Sequence, residues 1–142
     1  MVQEDFTLIT TEQYFAGKPH TQEHEENATA LLKQVNALID EAEATGFVRA
    51  ICPNTGTEIS GSKGGSGDGG FRLQTATTGA PNSSHKTAQA VDVYDPGGHL
   101  DDWMQDDVLE SYDLYREAPN STYGWCHLTT RAPRSGNRTF TP

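Results

Sequence analysis

The shortness of its apolar runs limits most strongly what this chain can become: no stretch of Ala, Val, Ile, Leu, Met, Phe, Trp, Tyr or Cys exceeds three residues. A membrane-spanning helix needs about 20 consecutive apolar residues, and the apolar part of a signal peptide roughly 7–15. The sequence therefore predicts a soluble protein without membrane insertion and without a signal peptide, made in the cytoplasm and reaching any outside target without an export signal of its own. Its core has to be assembled from amphipathic elements, each contributing a few side chains. At 142 residues one domain spanning 1–142 is expected, and a chain of that size buries about two-thirds of its unfolded surface.

Charge narrows the partners. Twenty acidic residues against ten basic ones give a net charge of −10, and seven of the acids lie between Asp101 and Glu117, where Arg116 is the only base. Such a surface repels phosphate backbones, so nucleic acid is excluded as a partner. The tail cluster Arg131, Arg134 and Arg138 is too sparse to reverse this. Two cysteines, Cys52 and Cys126, are too few for a disulfide scaffold and are expected as reduced thiols.

Residues 1–21 mix Phe6, Leu8, Ile9, Tyr14 and Phe15 with polar residues and read as a docked N-terminal arm with one helical turn near 11–16. From about Glu23 to Thr45, Leu31, Val35, Leu38 and Ala42 form one apolar stripe at helical spacing, and Gly46 is placed to end the helix. Phe47 to Cys52 predicts a short strand closed by a turn at Pro53–Gly56. Residues 61–70, GSKGGSGDGG, predict a flexible surface loop, either a plain linker or a loop over a site. No GK[ST] follows it, so phosphate cradling is not expected.

Gln89 to Tyr94 alternates, with Val91 and Val93 on one face and Ala90, Asp92 and Tyr94 on the other. Leu100, Trp103/Met104, Val108 and Tyr112 predict a second amphipathic helix with its acids facing water. Tyr123 to Thr129 predicts another strand, with Trp125 and His127 on one face and Cys126 and Leu128 on the other; the tail 131–142 reads as extended. The expected class is α+β, a small antiparallel sheet flanked by helices.

Of the five histidines, His20 and His24 sit at a helix start and His99 follows a Gly-Gly turn, all polar surface settings. His85 and His127 differ. His85 precedes by seven residues an aspartate on an otherwise apolar strand, and His127 lies between Trp125 and Leu128. A carboxylate in such a setting is costly unless a cation, a metal ion or a buried arginine, lies beside it. Two imidazoles and one carboxylate are also a usual donor set for catalytic zinc, with the fourth position left for water. The same donors suit other divalent ions. A Cys/His site using Cys52 and Cys126 is the alternative, although neither belongs to a C-x-x-C pair.

The segment from Ser84 to Asp92, SHKTAQAVD, resembles the S-H-x-x-G-x-A-x-D signature of zinc D-alanyl-D-alanine carboxypeptidases. That group includes phage L-alanyl-D-glutamate endopeptidases and shares its fold with the hedgehog signalling domain. Gly124 to Leu128, GWCHL, is similar to the family's second motif, a tryptophan-rich strand carrying the last histidine. The helix around Asn27–Leu38, the Gly69-Gly70-Phe71-Arg72 turn and the tail Ser135–Arg138 also resemble small phage-encoded members.

The resemblance implies a hedgehog/DD-peptidase-like fold with His85, Asp92 and His127 binding zinc. It also implies hydrolysis of a peptide bond in the peptidoglycan stem peptide. Many relatives carry the catalytic glutamate three residues before the last histidine; here that position is Gly124, and Glu117 is the nearest acid upstream. Glu117 is the expected proton shuttle and Arg72 the expected substrate-orienting cation. A second placement would start the arginine motif at Ser60-Gly61. Ser84 is expected to hydrogen-bond near the metal, and Ala88 stands where the family has glycine. An enzyme of this kind would be phage-encoded, an endolysin released from the host cytoplasm or carried on the virion. A catalytically silent member, serving as a virion structural or cell-wall-binding module beside other virion proteins, is the alternative.

Overall fold

The structure, a computed structural model, describes residues 9–61, 69–76 and 83–141. Two helices open it. In α1 (Thr11–Phe15) the Thr10 side chain accepts from the Gln13 backbone N–H, and the Gln13 side chain accepts from the Thr10 backbone N–H. α2 (Gln22–Ala44) starts on the same device, with Thr21 capping the His24 amide and the His24 ring accepting from the Thr21 amide. His24 is thus a capping residue. Leu31, Val35, Leu38 and Ala42 form the buried stripe with Ala28, Leu32 and Ile39, and Gly46 follows the helix at φ +113°. From Ile9 onward the chain packs on the body: Asn36 clamps both backbone groups of Ile9, and Tyr14 donates to the Ala90 carbonyl at 2.8 Å.

Four strands follow: β1 (Ala90–Tyr94), β2 (Tyr115–Glu117), β3 (Trp125–Thr129) and β4 (Thr139–Phe140), in the sheet order β1-β3-β2-β4. β3 runs antiparallel to both β1 and β2, with Asp92 directly opposite His127. β4 is parallel to β2, so the sheet is mixed and the expected antiparallel sheet is corrected at that edge. Val91, Val93, Cys126 and Leu128 belong to one hydrophobic cluster with the buried stripe of α2, on the face away from Asp92 and His127. No helix among the described residues is long and apolar enough to cross a membrane.

Three further expectations are corrected. Phe47 to Cys52 forms no strand. Val48 and Ile51 stay exposed, while Arg49 turns inward to Asp40, Glu43 and Glu58 at 2.6, 3.0 and 2.9 Å. Ion pairs to α2 and to the following turn replace a strand ladder there. The single helix expected around residues 100–112 is two, α3 (His99–Trp103) and α4 (Asp106–Ser111), because Met104 is extended (φ −85°, ψ 107°). The acids of this region are not all solvated. Asp95 accepts from the Leu100 and Asp101 amides, and buried Asp101 pairs with Arg116 at 3.2 Å.

The expected glycine loop is only partly visible, since residues 62–68 lie outside the described ones. Its end is not a loose surface. Gly69 and Gly70 are buried, and the Gly69 carbonyl accepts from the Asp92 amide at 2.7 Å. A Cβ on Gly69 would collide with the Ser60 carbonyl oxygen, and one on Gly70 would lie 2.5 Å from that of Tyr14. Only glycine fits between these backbones.

Candidate metal centre

The site grows out of the β1–β3 register. Strand alternation puts Asp92 and His127 on the same face, side by side on neighbouring strands. His85 reaches them from the turn before β1, which closes through Gln89 N–H to Ser84 C=O at 2.8 Å. Ala88 within that turn adopts φ +61° while fully buried. That left-handed backbone shape favours glycine and costs about 1 kcal/mol for alanine.

His85 Nδ1 donates to the Gly70 carbonyl at 2.8 Å, since a carbonyl can only accept. Its Nε2 faces Asp92 Oδ1 at 3.4 Å and carries the lone pair whenever the ring is neutral. His127 Nδ1 lies 2.9 Å from the same oxygen. All three residues are buried, and their donor atoms lie within 4.8 Å of one another. Donors around a tetrahedral ion with bonds of about 2.0–2.1 Å sit roughly 3.3 Å apart, so the 3.4 and 2.9 Å separations from Asp92 suit a small divalent cation. The fixed His85 tautomer suits it too, because metal-bound imidazoles regularly place their other N–H on a carbonyl or carboxylate. The three side chains form a site able to hold a metal ion.

Electrostatics agree with that reading. Burial pushes the Asp92 carboxyl up, but the charge of His85 and the hydrogen bond from His127 outweigh it, and the group is held far below its ordinary range. Burial lowers His127, yet its hydrogen bond to and attraction by Asp92, with a contribution from Glu117, leave it raised. A buried anion between two imidazoles is a place where positive charge is strongly favoured.

A cavity of about 590 Å³ opens over the cluster, with Arg72 and Glu117 in its walls. Arg72 Nη2 is 3.8 Å from Asp92 Oδ2, and its backbone N–H donates to the His85 carbonyl at 3.1 Å. Glu117 sits at the end of β2, its Oε2 3.9 Å from His127 Nε2. Its neighbour Arg116 places it, donating to Asp101 on α3 and to the Thr139 hydroxyl of β4, so that strand alternation turns Glu117 the other way. The structure thus gathers His85, Asp92, His127, Glu117, Arg72 and Ser84 around one cavity. Ser84 contributes turn-closing bonds to its carbonyl, from Gln89 and from the Thr87 hydroxyl. Ser60, the other proposed motif start, is tied by its backbone to Asp92 and Gly69.

The alternative cysteine site is not assembled. Cys52 and Cys126 are both free and buried, Cys52 Sγ lies 3.8 Å from the Gly61 carbonyl, and burial raises the Cys126 thiol, which packs against Asp101. Sequence reasoning missed Gly70 as the partner of His85, and Arg131, Arg134 and Phe140 as cavity residues. The Gly-Gly pair before Phe71-Arg72 was the available signal for the first. Only the pairing of β4 with β2 brings the tail to the site.

No protein-family model matches the chain, nor does any curated protein or solved structure.

Proposed function

We propose that the protein is a zinc-dependent peptidase of hedgehog/DD-peptidase type that hydrolyses a peptide bond in the peptidoglycan stem peptide. The observation that carries this reading is the buried His85–Asp92–His127 cluster on the floor of a cavity that also holds a carboxylate, Glu117, and a cation, Arg72. Its motifs resemble those of the D-alanyl-D-alanine carboxypeptidases and L-alanyl-D-glutamate endopeptidases. A phage origin follows from the same resemblance, with release from the host cytoplasm to the wall or carriage on the virion.

His85, Asp92 and His127 would hold the zinc, which would supply a Lewis acid for the scissile carbonyl and for the attacking water. The remaining work falls to the chain. Glu117 takes the proton of the attacking water and delivers it to the leaving amine, splitting one difficult transfer into two short ones. Arg72 orients the substrate and offsets the negative charge that grows on the carbonyl oxygen. The Gly70 carbonyl holds the His85 imidazole in place, so that ligand needs little reorganisation.

A second reading is favoured by one observation. Gly124, at φ +92°, occupies the position where many relatives carry the catalytic glutamate, and it offers no side chain. A protein that keeps the metal cluster without the acid would serve as a silent structural or wall-binding module of a virion.

Mass spectrometry of purified muropeptides, incubated with the zinc-loaded protein and with a chelated control, separates the two. Chelator-sensitive loss of a defined fragment supports the peptidase and names the bond. An unchanged digest, with zinc confirmed in the protein, refutes it and favours the silent module.

A further inference from the structure

Arginine is distributed unevenly in this chain. Arg49, Arg116 and Arg138 are engaged by carboxylates away from the metal centre. Arg72, Arg131 and Arg134 line the cavity over the cluster, and among the described residues Asp92 and Glu117 are the acids of its lining. Three of the ten basic residues of a chain with net charge −10 therefore surround one opening. With a dication on the cluster, cationic groups would outnumber the acids lining that opening, in a chain whose net charge is −10.

A second cavity of about 580 Å³ adjoins the first, sharing Pro133, Arg134 and Phe140 and lined further by Ser135, Asn137, Thr139 and Thr141. Arg134 stands at the junction. A site built for the free C-terminus of a substrate closes on its carboxylate; this one leaves room beyond the arginine.

We propose that Arg131 and Arg134 determine specificity by gripping a carboxylate of an anionic peptide that runs past the reacting bond into the second cavity. Arg134 then reads a carboxylate inside the substrate chain, while Arg72, beside Asp92, acts at the reacting bond. Both tail arginines are exposed at the rim, so each contact is screened by salt and modest. Together they are expected to change affinity about tenfold.

This inference rests on the peptidase reading for its choice of probe, and binding rather than cleavage tests it. The probes are the synthetic stem peptide L-Ala-γ-D-Glu-L-Lys-D-Ala, the same peptide with the D-Glu α-carboxylate converted to carboxamide, and the dipeptide L-Ala-γ-D-Glu. Affinity is measured by calorimetry in zinc-loaded protein carrying Glu117→Gln, and as KM should the peptide be turned over. Amidation is expected to weaken binding about tenfold, and this discrimination is expected to vanish in an Arg131→Gln/Arg134→Gln variant. The tetrapeptide is expected to bind tighter than the dipeptide. Lys33→Gln, on the exposed side of α2, should leave the discrimination intact and so separates local contact from overall charge. Equal affinity for acid and amide, or discrimination that survives the double variant, overturns the proposal. So does a dipeptide that binds as tightly as the tetrapeptide. Absence of muropeptide cleavage with the binding pattern intact would overturn the peptidase reading alone.

Discussion

Replacing Asp92 by Asn tests the metal centre with little change of shape. The strand should survive, because it is held at this position by backbone bonds, Asp92 N–H to Gly69 C=O and Ser60 N–H to Asp92 C=O. What disappears is the one anion between the two imidazoles, and with it a third ligand. A ligand that binds only the folded form at about 100 times its Kd stabilises it by about 2.7 kcal/mol. Unfolding 142 residues carries an entropy of about 0.3 kcal/mol/K near 60 °C. Zinc at that saturation should therefore raise the wild-type Tm by about 9 °C. With two ligands left, the shift in Asp92→Asn should fall below about 2 °C at the same zinc concentration. Differential scanning calorimetry in zinc and in chelator, with zinc content measured in parallel, reads the difference. An Asp92→Asn protein with the wild-type zinc shift and full zinc occupancy would refute the site.

Glu117→Gln should keep zinc and fold but lose about 10²–10⁴-fold in muropeptide hydrolysis, the usual share of a general acid–base; undiminished turnover removes Glu117 from the mechanism. The chelated protein should show a pH-dependent stability set by the cluster. Asp92, depressed below its ordinary 3.8, contributes stability present above that pH and lost as pH falls; His127, raised above its ordinary 6.5, contributes stability that is full below that pH and lost as pH rises through its folded value. The chelated Tm should be greatest between about pH 4 and 6.5, and Asp92→Asn should flatten that maximum; a profile unchanged by the substitution would contradict this account. Gly70→Ala should destabilise by about 1–3 kcal/mol through collision with the Tyr14 backbone, and weaken zinc binding by moving the carbonyl that orients His85. Wild-type stability and zinc affinity in that variant would rule out the close approach.

Most of the local patterning was legible. The stripe on α2, the alternation in β1 and β3 and the turn at Pro53–Gly56 are periodic or turn-chemical signals, which neighbouring residues carry among themselves. Asp92 stood out because a carboxylate broke an apolar alternation. β2 and β4 were not legible, being three and two residues long and too short for any period. The break at Met104 was hidden because Leu100, Met104 and Val108 keep helical spacing across it. Phe47 to Cys52 looked like a strand by residue type, yet Arg49 found three carboxylates, two of them on α2, a contact no local window contains.

For the site the division is similar. Residue types and strand alternation pointed to His85, Asp92 and His127 as candidate ligands, and the resemblance of SHKTAQAVD and GWCHL to metal-binding motifs completed the set. Their meeting was decided by the register that sets Asp92 opposite His127 across 35 residues of sequence, and by the buried Gly70 carbonyl that turns His85 toward them. Glu117 and Arg134 reached the cavity through Arg116 and through a parallel pairing of two very short strands. Short-range preferences act within a few residues, whereas these placements depend on backbone hydrogen bonds and buried ion pairs that exist only once the distant segments have met.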